Sequence, residues 1–167
     1  MDFTEARNIA EQCKSGVSRE EAKVLWEQVC EHPRHVVEIG TSTGGTARML
    51  AEAAEHLTCI DPWHRNTREQ AAANLAPVLH KVTMLSTMDQ AILPIWDGEI
   101  SLLFIDHDHS YEGTLASIKG WRRHVRGPVL LHDYGHDAYR SVERAVADAG
   151  LEVLRVVDTL AVCCYGR

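Results

Sequence analysis

His35-Val-Val-Glu-Ile-Gly-Thr-Ser-Thr-Gly-Gly45 runs from a short apolar stretch through a glycine-rich turn into a helix-period segment containing Ala47, Leu50, Ala51 and Ala54. Glycine lacks a Cβ and tolerates positive φ, so this layout brings main chain close to a ligand at the end of a buried strand. The same alternation continues outward to Cys164. Strands are expected near 35–39, 57–61, 81–85, 100–106, 128–132, 152–157 and 160–165. Helical spacing appears between them in the Ala-rich run 69–76, at Leu115, Ile118 and Arg122, and at Val142, Ala145, Val146 and Ala149. Such alternation defines βαβ units and a parallel sheet covered on both faces. Only Asp158-Thr159 separates the last two runs, too little for a parallel crossover, so the sheet should end in an antiparallel hairpin. The expectation is an α/β three-layer sandwich around a mostly parallel seven-stranded sheet.

Upstream, Phe3, Ala6, Ile9, Ala10 and Cys13 recur at helical spacing. A second helix should follow Ser18, whose Ser-x-x-Glu pattern with Glu21 reads as a capping box, with Ala22, Leu25, Trp26 and Val29 as its apolar face. Pro33 ends it. At 167 residues the chain suits one domain: a helical extension over 1–33 and the α/β core over 34–167. The extension could fold over a bound cofactor, a homodimer partner could cover the site instead, or a large acceptor could reach into an open cleft.

A formal charge of -7 without any lysine or arginine block argues against a surface that tracks nucleic-acid phosphates. Arg122, Arg123, His124 and Arg126 read as the solvated end of a helix. Met1-Asp2-Phe3-Thr4-Glu5 lacks the basic and apolar regions of a secretory leader, and no apolar run approaches membrane-spanning length, so no membrane partner and a cytoplasmic location are expected. Cysteines 13, 30, 59, 163 and 164 have no C-x-x-C spacing and should be reduced and mostly buried.

The turn reads Glu38-x-Gly40-x-x-x-Gly44 rather than the G-x-G-x-x-G of dinucleotide sites. An acid at Glu38 would repel a pyrophosphate and attract the ammonium of an amino-acid moiety. Asp61, ending the second strand, can accept both hydroxyls of a ribose. Together they describe an adenosyl amino acid; Trp63 is a candidate for lying against its adenine or for plain packing.

Through Val-Glu-Ile-Gly-Thr-Ser-Thr-Gly-Gly and Cys-Ile-Asp-Pro-Trp the chain resembles the class I S-adenosylmethionine-dependent methyltransferases, which have a Rossmann-like fold. The resemblance implies S-adenosylmethionine as cofactor, with Gly40 and Gly44 at the methionine end and Asp61 on the ribose. It puts the adenine at the end of the third strand, Ser86-Thr87-Met88. The cofactor set is then Glu38, Gly40, Thr41, Gly44, Asp61, Pro62, Trp63, Thr87, Met88 and Asp106.

Leu102-Leu-Phe-Ile-Asp106-His107-Asp108-His109-Ser-Tyr111 ends an apolar strand with four ionisable groups, costly unless they face a cleft or a metal. The next strand ends in Leu130-Leu131-His132-Asp133-Tyr134. Two neighbouring strand ends thus converge Asp106, Asp108, His109, His132 and Asp133, an oxygen-rich set suited to Mg²⁺ or Mn²⁺. His109 is the expected base, with His107 and His136 as surface or capping residues. Tyr111 and Tyr134 are candidates for the acceptor pocket or for plain packing.

The pattern Phe-Ile-Asp-His-Asp-His-Ser-Tyr-Glu-Gly with Leu-Leu-His-Asp-Tyr resembles the subgroup that includes metal-dependent macrolide-sugar O-methyltransferases. That resemblance implies catalysis by His109 and Asp106, a metal on Asp106, His132 and Asp133, and a small-molecule or saccharide hydroxyl as acceptor; His132 stands where the subgroup often has an acid. Two other readings compete. A nicotinamide (NAD) oxidoreductase shares the strand, turn and acid but not the glycine spacing, and a non-catalytic binding module would suit the short, His-rich chain.

Overall fold

The computed structural model describes residues 1–64 and 67–166. Its strands are β1 Val36–Ile39, β2 Leu57–Ile60, β3 Val82–Leu85, β4 Leu102–Ile105, β5 Val129–Leu131, β6 Leu151–Val157 and β7 Leu160–Tyr165. The α-helices are α1 Phe3–Gln12, α2 Arg19–Glu31, α3 Gly45–Ala53, α4 Arg68–Leu75, α5 Asp89–Ile92, α6 Tyr111–Trp121 and α7 Arg140–Asp148. One seven-stranded sheet runs in the order β3-β2-β1-β4-β5-β7-β6, parallel from β3 to β5, with β7 antiparallel to both β5 and β6. This is the Rossmann-like architecture expected from the sequence, hairpin included.

The central strands are buried throughout because both faces are covered, and apart from Glu38 and Thr58 they are apolar. Alternate side chains feed two cores. Val36, Leu57, Leu102, Phe104 and Leu130 meet α1, α2 and α3 through Ala6, Ala10, Leu25, Val29 and Leu50. Val37, Ile39, Ile60, Leu103, Ile105 and Leu131 pack with Ile118 and Trp121 of α6 and Val142 and Val146 of α7. Ile39 stands level with both Ile60 and Ile105, so Gly40, Asp61 and Asp106 emerge side by side at the carboxyl edge. Strand order reverses between β1 and β4, the crevice where open α/β sheets bind ligands.

The N-terminal extension does not lie over that crevice. It packs on α3 beneath one face of the sheet, and Gly45 permits this: a Cβ there would stand 2.4 Å from the Ser15 nitrogen. Capping boxes start both of its helices, Asp2 with Glu5 and Ser18 with Glu21. On α2, Val24 is buried while Trp26 is half-buried. The cysteines are all free, but only Cys59 and Cys163 are buried; Cys13 and Cys164 are half-buried and Cys30 is exposed, so burial was overestimated. Among the described residues no helix is long and apolar enough to cross a membrane.

Candidate active site

A cleft of about 720 Å³ opens at the carboxyl edge of β1, β2 and β4. Its floor is the glycine turn, which backbone geometry makes obligatory. Gly40 has φ +98°, and a Cβ there would lie 2.0 Å from the Asp106 carbonyl oxygen. Gly44 has φ +78° and faces Ala71 of α4. Asp61 organises this floor by accepting the Ser42 and Trp63 main-chain N–H groups, at 2.8 and 2.5 Å, on separate carboxylate oxygens. Each oxygen retains lone-pair capacity for a further donor. Trp63, at φ +48° and 6% exposed, donates its indole N–H to the Ser42 carbonyl at 2.9 Å. Gly40, Asp61, Pro62, Trp63, Thr87, Met88 and Asp106 all line the cleft.

Glu38, Thr41 and Gly44 do not line it; they lie just below. Glu38 is 1% exposed, and burial, reinforced by nearby Asp106 and Asp61, pushes its carboxyl up to about 8. Glu38 Oε2 and Thr41 Oγ1 are both buried without a hydrogen-bond partner. Orphaned polar atoms under a glycine turn fit a cofactor whose amino-acid end carries donors and acceptors.

Beyond the turn, the ends of β4 and β5 supply the ionisable groups. Asp106, His109 and Asp133 form a group whose ligand-type atoms all lie within 4.8 Å of one another. His109 Nε2 is 3.4 Å from Asp133 Oδ2, its ring centroid is 4.4 Å from that of Tyr139, and its carbonyl accepts the Ser141 hydroxyl. Asp133 is held at φ +59°, a strained conformation for a non-glycine residue and one concentrated at functional sites.

His132, which the sequence reading set beside Asp106 and Asp133, stands against both acids, while the grouped ligand-type atoms are those of Asp106, His109 and Asp133. His132 Nδ1 faces Asp106 Oδ1 at 3.3 Å and Asp133 Oδ2 at 3.5 Å, while Nε2 faces Glu21 Oε2 at 3.3 Å. Burial opposes charge on this ring, but Asp106 and Glu21 outweigh it and lift its pKa to about 10. Burial likewise opposes charge on Glu21, yet hydrogen bonds from His132, Ser18 and Thr159 hold that carboxyl down to about 2.

His107 and Asp89 also line the cleft. Asp89, 1% exposed, accepts the Ser117 hydroxyl at 2.7 Å and the Trp121 indole N–H at 2.9 Å, and Ser117 lies 2.8 Å from His107 Nε2. His107 is therefore part of a buried polar network rather than a surface residue. Tyr111 turns to Asp148 and Tyr134 packs in the core, so neither lines the cleft. The tyrosine that does is Tyr139, on a 3₁₀ turn spanning Asp137–Tyr139. It was missed because a three-residue turn carries no periodicity.

A sheet of this order, with a glycine turn after the first strand, a carboxylate after the second and an ionisable cluster at one edge, defines a class I S-adenosylmethionine-dependent methyltransferase fold. Residues 37–134 match the family model described as methyltransferase domain, and the chain belongs to that family. Among solved structures it is similar to the O-methyltransferase TomG from Streptomyces achromogenes, involved in tomaymycin synthesis and in complex with SAM. The two share 20% identity over 98% of this chain and 89% of that one, with TM-score 0.71. Cofactor-bound Rv0187 from MTB shares 23% identity over 96% and 88% of the two chains, with TM-score 0.75. SAH-bound PaMTH1, a Podospora anserina methyltransferase, shares 13% over 99% and 88%, also with TM-score 0.75. No curated protein sequence matches this chain.

Proposed function

We propose that this S-adenosylmethionine-dependent methyltransferase methylates a hydroxyl of a small-molecule or saccharide acceptor, with His109 as base. The carrying observation is the position of His109, seated between Asp133 and Tyr139 in the same cleft as the glycine turn. If Asp133 accepts the Nε2 hydrogen, the ring's lone pair sits on Nδ1 for an acceptor proton. Glu38 and Thr41 take the amino-acid end of the cofactor, Asp61 the ribose, and Trp63, Thr87 and Met88 the adenine side. S-adenosylmethionine, when bound, would supply an electrophilic methyl group to the acceptor oxygen and leave as S-adenosylhomocysteine, and His109 would take the hydroxyl proton and pass it to solvent. No residue of 1–33 lines the cleft, so a bulky acceptor or a second copy of the chain would close its open side.

The experiment is incubation with S-adenosylmethionine and a panel of phenols, catechols and sugars, following S-adenosylhomocysteine and methylated product together. His109→Ala should lose turnover by about 10²-fold or more while keeping S-adenosylhomocysteine affinity within about twofold; unchanged turnover would remove His109 as base. A divalent ion on Asp106, His109 and Asp133 is the second reading, favoured by their grouping. It would polarise the acceptor hydroxyl, and it would engage an imidazole nitrogen of His109.

A further inference from the structure

Glu21 belongs to the helical extension and lies 111 residues from His132, yet its side chain is 3% exposed and reaches the back of the site. Its Oε2 accepts the Ser18 N–H at 2.7 Å and faces His132 Nε2 at 3.3 Å. Its Oε1 accepts both the main-chain N–H and the hydroxyl of Thr159, at 2.9 and 2.8 Å. The Thr159 carbonyl in turn accepts the Tyr134 N–H at 2.8 Å, which ties the loop holding Asp133 to the β6–β7 turn. One carboxylate thus grips the imidazole and the turn behind it.

That grip determines what His132 can offer. With Glu21 behind one ring nitrogen and Asp106 and Asp133 before the other, the ring has no nitrogen facing open space. Asp106 Oδ1 and Asp133 Oδ2, one oxygen of each acid, already converge on His132 Nδ1. A hard divalent cation prefers a set of oxygens free to turn toward it, and here each of the two carboxylates has one oxygen engaged by the imidazole.

We propose that His132, clamped by Glu21, is a positioning residue that links Asp106 to Asp133 in place of a divalent ion, so that this chain binds its cofactor and transfers the methyl group without a metal. This rests on the proposed methyltransferase reading, in which His109 beside Asp133 serves the acceptor.

The test is Mn²⁺ titration of the S-adenosylhomocysteine complex, with the free-ion electron paramagnetic resonance signal as readout. It is run on the unaltered protein, His132→Asp and Glu21→Gln, with calorimetric S-adenosylhomocysteine affinity measured on each sample. The unaltered protein should leave Mn²⁺ free at concentrations well above those of the protein. His132→Asp should take up one Mn²⁺ at least about tenfold more tightly, because it replaces the ring with a hard oxygen ligand, and Glu21→Gln should fall between. Stoichiometric Mn²⁺ uptake by the unaltered protein overturns the proposal without any variant, as does a cofactor-binding His132→Asp that takes up none. Failure to bind S-adenosylhomocysteine in the unaltered protein would strike the methyltransferase reading itself, a result separate from Mn²⁺ uptake.

Discussion

At Gly40 two constraints coincide, positive φ and a main-chain neighbour where a Cβ would go. Gly40→Ala should therefore destabilise the protein by about 3 kcal/mol or more, from strain and backbone clash together, as read by urea unfolding. Glu38 carries a different signature. Its folded pKa near 8 lies above the ordinary carboxyl value of 4.5, so its contribution is most favourable below 4.5 and is lost as pH rises through about 8. Glu38→Gln removes that loss: its thermal midpoint relative to the unaltered protein should improve between pH 5 and pH 9, by at least about 2 °C. A constant offset would show that Glu38 does not titrate in that window. Glu38 and Gly40 were legible in the sequence because strand, acid and glycine turn are contiguous. Glu38 and Thr41, 1% and 5% exposed, lie below the cleft rather than in its wall.

Elements were legible wherever period and length agreed. The expected strands match the observed ones to within about two residues because each is a short, mainly apolar or β-branched run between turn residues. The four-residue α5 and the 3₁₀ turn at Asp137–Tyr139 were not, since neither is long enough to show a period. The α2 capping box was read as a local device, and it is one; that its Glu21 also holds His132 and Thr159 is a tertiary fact. This pair makes stability depend on pH in two windows. Glu21, lowered to about 2, stabilises fully above 4.5 and loses that contribution as pH falls through about 2. His132, raised to about 10, stabilises fully below 6.5 and loses it as pH rises through about 10. Thermal stability should thus be greatest between about pH 4.5 and 6.5 with respect to this pair. Glu21→Gln should flatten the fall between pH 7 and pH 10; an unaltered slope would mean the pair is not coupled in solution.

On the scale of the whole molecule, residues 1–33 belong to the core rather than to a lid. Leu25 is fully buried in the same cluster as Val36, Leu50 and Phe104. Leu25→Ala should cost about 2–5 kcal/mol, measured by chemical denaturation, and should leave S-adenosylhomocysteine affinity of the folded protein within about twofold. A large affinity loss with little loss of stability would instead place the extension over the cofactor.

By itself the sequence determined the layer architecture, the reversed final strand and the cofactor edge, because each depends on features adjacent along the chain: apolar period, turn length, and glycine or acid at a strand end. Tertiary structure alone decided which histidine joins Asp106 and Asp133, that Tyr139 rather than Tyr111 or Tyr134 walls the cleft, and that Glu21 reaches the site. The physical reason is that side-chain direction at a loop and contact across 111 residues arise only when separate elements pack. Neighbouring positions 107, 109 and 132 carry the same imidazole, and only their carboxylate neighbours in space distinguish them.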